Sequence, residues 1–187
     1  MYGMMNRAVK GLVLQNHGPE AWQRILAKAG VDDDVFLSME QYPDEVTYRL
    51  VGAASEVLGS PPEAILEAFG EYWITYTAEA GYGEILRAAG RSLEEMLANL
   101  DQLHTRVRLG MPHLKPPSFR LVRNPDGSLT LHYSSERRGL APCVVGLVKG
   151  LAKRFGEPVT VEHVAHRSGD REQDEFRIVR LPAIAPA

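Results

Sequence analysis

Cysteine is nearly absent: Cys143 is the only one in 187 residues. No intrachain disulfide can form, and a reducing, cytoplasmic setting is the expectation. Charge of one sign is also lacking. The 21 Lys and Arg stand against 24 Asp and Glu, a formal net charge of -3. That balance gives no footprint for a nucleic-acid partner, and no basic run is long enough to hold an anionic membrane surface. Long apolar runs are missing as well. Asn6, Arg7 and Lys10 interrupt the N-terminal stretch, so it is no secretory signal. No window reaches the length of a membrane-spanning helix. The chain also has no Gly-rich phosphate loop, no Gly-x-Ser-x-Gly elbow and no Cys-x-x-Cys knuckle. These absences argue against several common enzyme classes.

What remains is an ordinary globular composition, 44% hydrophobic and 24% charged, expected to form one domain over residues 1–187. The first part reads as helices. Met5, Val9, Leu12 and Val13 fall at helical spacing, and Asn16-His17-Gly18-Pro19 breaks the run. A second helix carries Trp22, Ile25, Leu26 and Ala29 and ends at Gly30. A third spans Asp44 to Leu58. Ser60-Pro61-Pro62-Glu63 reads as a capping box before a helix with an aromatic face of Phe69, Tyr72, Trp73 and Tyr76. A short helix is expected near Gly83–Ala89. Ser92-Leu93-Glu94-Glu95 is a second capping box. It opens one helix with the stripe Leu93, Met96, Leu97, Leu100, Leu103 and Val107, stopped by Gly110 and Pro112.

After Pro116-Pro117 the period changes to alternation. Ser118–Val122 and Ser128–Tyr133 flank Asn124-Pro125-Asp126-Gly127, a hairpin signal. A helix from about Pro142 to Phe155 follows. A second hairpin, near Val159–Val164 and Glu175–Leu181, turns around Ser168-Gly169-Asp170. The tail Pro182–Ala187 is expected to fray. The order of elements predicts an α+β fold: an N-terminal helical part over 1–60, then a helix-and-sheet part over 61–187 with two hairpins around one helix.

At 100° per residue His104 lies inside the apolar stripe of its helix. Taken alone, such a histidine reads first as a core residue; the second reading is an axial metal ligand opening into an apolar pocket. Leu100, Leu103 and Val107 flank it. Tyr133, Ser135 and Arg137 fall at i, i+2 and i+4, on one face of an extended segment. Two hydroxyls and a guanidinium fork there suit an anionic group; a solvated outer strand face is the alternative. Pro116-Pro117 reads as a connector, and the aromatic stripe as core. Cys143, near a helix start, reads first as a small buried hydrophobe, with an activated thiol as the alternative. His163 and His166, three apart in a strand or turn, are expected on opposite faces.

Taken in order, these motifs resemble the H-NOX domain, the haem nitric oxide/oxygen-binding domain, in its stand-alone bacterial form and in the soluble guanylate cyclase beta subunit. The resemblance runs from Met1-Tyr2-Gly3 through Gly18-Pro19-Glu20-x-Trp22, Ala53-Ala54-Ser55-x-Val57-Leu58 and Gly81-Tyr82-Gly83. Its core is Asn99-Leu100-Asp101-x-Leu103-His104, Pro117-Ser118-Phe119 and His132-Tyr133-Ser134-Ser135-x-Arg137-x-Gly139-Leu140. It implies haem b between the helical and sheet parts, with His104 as the proximal iron ligand. Tyr133, Ser135 and Arg137 match the propionate-binding triad, and Pro117 the proline pressing on the haem. Leu100 is expected on the porphyrin face. Met1, Met5 and Val9 match positions near the haem or its distal pocket, and Trp73 is expected to face that pocket. Oxygen-binding members carry a distal tyrosine where this chain has Cys143.

The resemblance therefore implies a sensor of nitric oxide, binding CO as well, and not an enzyme. It also implies a switch in which the His104 helix and the Pro117 contact relax when NO binds, shifting the helical part against the hairpins. No output domain is expected on this chain, and a separate histidine kinase or cyclic-di-GMP enzyme is the expected reader. A haem-free small-molecule-binding or scaffold domain is the alternative. A peroxidase would want a distal acid–base pair that the sequence does not offer.

Overall fold

The computed structural model describes residues 1–33, 35–168 and 172–182. Among the described residues, seven α-helices and a four-stranded antiparallel sheet make the expected α+β architecture. The helices are α1 (Gly3–Ala29), α2 (Asp44–Leu58), α3 (Pro62–Thr77), α4 (Gly83–Ala89), α5 (Leu93–Ala98), α6 (Leu100–Gly110) and α7 (Ala141–Phe155). The strands are β1 (Ser118–Arg123), β2 (Leu129–Ser134), β3 (Val159–Ala165) and β4 (Asp174–Arg180). Among the described residues no helix is long and apolar enough to cross a membrane.

The punctuation read from the sequence acts where expected. Gly18 leaves the helical region at φ 79°, ψ 176°, and Pro19 restarts the helix, so α1 is two helices across a kink. The β1–β2 hairpin closes through Asn124 N–H to the Ser128 carbonyl at 2.9 Å. The second hairpin, β3–β4, joins the first through β2–β4 pairing, giving the order β1-β2-β4-β3. Gly169 and Asp170 of its turn, and residues 183–187 of the tail, lie outside the described residues.

Several local expectations are corrected. Ser60 does not cap α3; Pro61 holds the cap position and no side chain bonds the helix start. Instead the Ser60 backbone closes on Ser55, through its N–H to the Ser55 carbonyl and its carbonyl from Ser55 Oγ at 2.6 Å. The cap at Ser92 does form, accepting from Glu95 N–H at 3.2 Å, while Glu95 reaches back one residue further, to Arg91 N–H. The single helix expected over 93–107 is broken at Asn99 (φ -101°, ψ 6°). Its side-chain amide donates to the Ala89 carbonyl at 2.8 Å and so fixes the bend. A π-helical turn, Ala78–Tyr82, with Gly81 at φ 97°, links α3 to α4.

His163 and His166 are not on opposite faces. A β-bulge at Val164 sets two residues of β3 against one of β4, and the strand ends at Ala165. The two imidazole rings lie 3.9 Å apart. Bulges re-aim side chains in this way.

Two main apolar cores form. One packs α1 and α2 around Trp22, Ile25 and Leu50. The other packs α5 and α7 on the sheet around Leu97, Leu131, Val148 and Phe176. α3 serves both, with Phe69 in the first and Ile74 in the second, so a boundary at residue 60 does not separate the packing. α3 and α7 cross in near backbone contact. A Cβ on Gly146 would sit 1.8 Å from the Glu67 carbonyl oxygen, and one on Gly70 2.1 Å from that of Cys143. Only glycine fits these two positions.

Candidate functional site

A cavity of about 540 Å³ opens where the helical part meets the sheet, within the range of roughly 300–1,000 Å³ usual for cofactor and small-molecule sites. Its walls come from all parts of the chain. α6 contributes Leu100, Leu103, His104 and Val107, the following connector Pro116 and Pro117, and β2 Tyr133. Ser135 and Arg137 lie at the same cavity, as do Met1 and Met5, Phe69 and Trp73 of α3, and Cys143 of α7. Of the residues that the resemblance places at the haem, Val9 is the one that does not reach it. One turn beyond Met5, Val9 is buried in the N-terminal core.

His104 is held by its surroundings rather than by polar partners. Its Nδ1 is sealed from solvent and makes no hydrogen bond of normal geometry. Its ring lies 5.9 Å from that of Phe119. Burial pulls its pKa below the ordinary imidazole value, although the Asp101 carboxylate and the Pro117 carbonyl push the other way. The imidazole is therefore neutral at physiological pH, the form that binds metal. Asp101 also organises the turn into β1, accepting from Phe119 N–H at 2.7 Å and from Ser118 Oγ at 3.0 Å.

The triad does not lie on one strand face. Tyr133 is in β2 and buried, but β2 ends at Ser134, and Ser135 and Arg137 follow in an irregular turn. Ser135 Oγ accepts from Arg137 N–H at 3.1 Å, which tightens that turn. Burial raises the Tyr133 phenol above its usual value, with the nearby Ser135 hydroxyl working against it, so the phenol stays a donor.

Asp44, which the sequence gave no reason to single out, completes this edge. Arg137 Nε donates to its Oδ2 at 2.7 Å and a terminal guanidinium nitrogen to its Oδ1 at 3.3 Å. The N-terminal ammonium of Met1 also donates to Oδ1, at 2.5 Å. Burial alone would raise the Asp44 carboxyl, but the hydrogen bonds and charges of Arg137 and the N-terminus outweigh it and leave it below its ordinary value. A third Arg137 N–H goes to the Lys115 carbonyl at 2.8 Å. Of the five guanidinium donors, two remain for another anion among the described residues.

The opposite wall is less polar. Phe69 and Trp73 lie 5.9 Å apart, and Trp73 stacks on Tyr76 at 5.8 Å. Half of the aromatic stripe is thus cavity wall and not only core. Burial pushes the Cys143 thiol up to about 12, which removes the reading of an activated thiol.

A neutral histidine on one wall of an apolar cavity, with cationic and hydroxyl donors gathered at the rim, is a donor set suited to haem. Residues 2–163 match the haem-NO-binding family. The chain belongs to that family. Its members are haem-binding gas-sensor domains and not catalysts. The chain is 35% identical over 173 residues to soluble guanylate cyclase gcy-35 of Caenorhabditis elegans, covering 89% of this chain and 25% of that protein. It is 36% identical over 124 residues to guanylate cyclase soluble subunit beta-2 of Rattus norvegicus, covering 63% and 18%. The chain thus spans about a quarter or less of the length of these relatives. In fold it is similar to an H-NOX protein from S. oneidensis in the Fe(II)NO state, with a TM-score of 0.87 at 21% identity over 97% of this chain and 100% of that one. It is also similar to an oxygen-binding H-NOX domain related to soluble guanylate cyclases, with a TM-score of 0.79 at 22% identity over 100% and 98%.

Proposed function

We propose that the cavity binds a b-type haem through His104 and that the chain senses nitric oxide, binding carbon monoxide as well. The observation that carries this is His104 itself: a desolvated, neutral imidazole on the wall of a cofactor-sized cavity. When bound, ferrous haem supplies an iron with one open position for a diatomic gas.

The residues divide the remaining work. The Tyr133 and Ser135 hydroxyls and the two unused Arg137 N–H groups hold the propionate carboxylates. Leu100, beside His104, would cover a porphyrin face, and Pro117 and Met1 would press on the ring. Trp73, Met5 and Cys143 form the gas pocket, with Val9 supporting Met5 from behind. Cys143 lends that pocket no strong hydrogen-bond donor. Bound O₂ would carry more negative charge than NO or CO and depend more on such a donor, so a thiol at this position favours NO and CO, with the Trp73 indole N–H as a competing donor on the same wall.

Asp44 at the start of α2 grips Arg137, which ties the helical part to the turn after β2. A change at His104 or Pro117 can therefore bias how the two parts sit, which is what a ligand-driven switch needs. The proposed reader is a separate cytoplasmic histidine kinase or cyclic-di-GMP enzyme.

The test is spectroscopic. Reduced protein should show a Soret band that moves with NO and with CO and gives no stable O₂ complex. A stable O₂ spectrum would sink the selectivity. His104→Gly should lose haem unless imidazole is supplied; full retention without imidazole would sink the ligand assignment. Colourless protein from haem-replete cells would favour a haem-free apolar ligand.

A further inference from the structure

A second cluster of ligating side chains lies outside the cavity, at the end of the β3–β4 hairpin. One ligand atom from each of His163, His166 and Asp174 falls within 4.8 Å of the other two. Ordinary strand alternation would have kept the two histidines apart. The bulge at Val164 and the end of β3 at Ala165 bring them together.

We propose that His163, His166 and Asp174 form a binding site for a divalent transition ion, zinc being the best match. Two imidazoles and one carboxylate are borderline ligands of the kind zinc takes, and a water would fill the fourth tetrahedral position. His163 Nε2 already lies 2.9 Å from Asp174 Oδ1. Zinc ligands sit about 2.0–2.2 Å from the ion, so donor atoms a few ångströms apart need only small rotations to converge. The ion takes the place of that direct hydrogen bond.

The surroundings are those of a supported site. His163 stacks on Phe176, centroids 4.6 Å apart and planes at 20°, which fixes its ring. Asp174 Oδ1 accepts from Arg167 N–H at 3.0 Å, which orients the carboxylate. Such supporting contacts matter to a metal site almost as much as its ligands. His163 and Asp174 are largely buried, with side chains 17% and 12% exposed, while His166 is exposed. The ion thus has both a rigid base and an entry path.

The site also connects to the cavity. The Arg167 guanidinium donates to the Ser135 carbonyl. Phe176, beneath His163, meets the Tyr133 ring edge-on at 6.4 Å. A bound ion therefore clasps the ends of β3 and β4, which touch Tyr133 of β2 and the Ser135 turn through Phe176 and Arg167. The site stands whether or not the cavity holds haem.

Equilibrium dialysis of the full chain, as purified with its haem, against micromolar zinc tests this, with zinc and iron counted separately by elemental analysis. The expected result is one zinc per chain in addition to any iron. His166→Gln, at an exposed position where folding is not at risk, and Asp174→Asn should each weaken binding at least tenfold. His17→Gln, at an exposed histidine far along the chain, should bind as the parent does. Zinc should raise the melting temperature of the parent and not that of His166→Gln. Zinc content near zero in the parent, or equal in the parent and His166→Gln, overturns the proposal.

Discussion

Arg137 and Asp44, 93 positions apart, close the rim of the cavity with paired contacts of 2.7 and 3.3 Å. The N-terminal ammonium shares the same carboxylate. One carboxylate thus serves two cations, and it does so from the N-terminus of α2, where the helix dipole also favours an anion.

Asp44→Asn should therefore do more than remove an ion pair. It leaves Arg137 and the N-terminal ammonium facing each other. The pair is partly exposed, so the loss in denaturant unfolding should be modest, roughly 1–2 kcal/mol, and added salt should recover part of it by screening. Haem loss to an acceptor protein should also be faster, because Arg137 is then free to leave the rim. A variant as stable as the parent and equally retentive would show that Asp44 is only a surface charge.

The same pair sets an acid limit. The folded Asp44 pKa lies below its ordinary value of 3.8. Its contribution is thus complete above pH 3.8 and is lost as the pH falls through the lower folded value. Stability measured from pH 5 downward should decline in the parent, and the Asp44→Asn variant should decline less steeply over the same window. Parallel slopes would remove Asp44 from the acid transition.

Much of this was legible beforehand, for reasons that are local. Gly18-Pro19 and Asn124-Pro125-Asp126-Gly127 each carry their conformation within a few residues, so the kink and the hairpin followed from sequence. His104 was found because helical periodicity marks a face. What escaped depends on distant partners. Nothing near Asp44 announces Arg137. The break at Asn99 exists because the Ala89 carbonyl needs its amide. Ser135 and Arg137 fit strand spacing, yet the turn after Ser134 carries them to the cavity rim. The bulge at Val164 comes from β3–β4 pairing, which a single strand does not reveal.

Gly146 gives a prediction about packing. Its backbone touches α3 so closely that an added Cβ would fall 1.8 Å from the Glu67 carbonyl. Gly146→Ala should force α7 off α3 at a cost of about 1–3 kcal/mol or more, against the small gain that alanine usually brings within a helix. Since α3 and α7 carry Trp73 and Cys143, the Soret maximum of the CO complex should shift too. A stabilised variant would contradict the observed contact.

Cys143 offers the sharpest test of gas choice. Its thiol borders the cavity, and burial holds it protonated up to about pH 12. It should resist alkylation by iodoacetamide at pH 8 in the native protein and react only on unfolding. Cys143→Tyr would bring a phenol O–H to the same wall, a donor that O₂ needs and NO does not. Bulk is a confounding change, so Cys143→Phe is the control: it adds the ring without the hydroxyl. If the absent donor sets the selectivity, Cys143→Tyr should form an O₂ complex that Cys143→Phe does not, with NO binding kept in both. If neither variant holds O₂, the discrimination lies elsewhere on the wall, and Trp73→Phe becomes the next measurement. If both hold it, cavity shape rather than hydrogen bonding excludes O₂ from the parent.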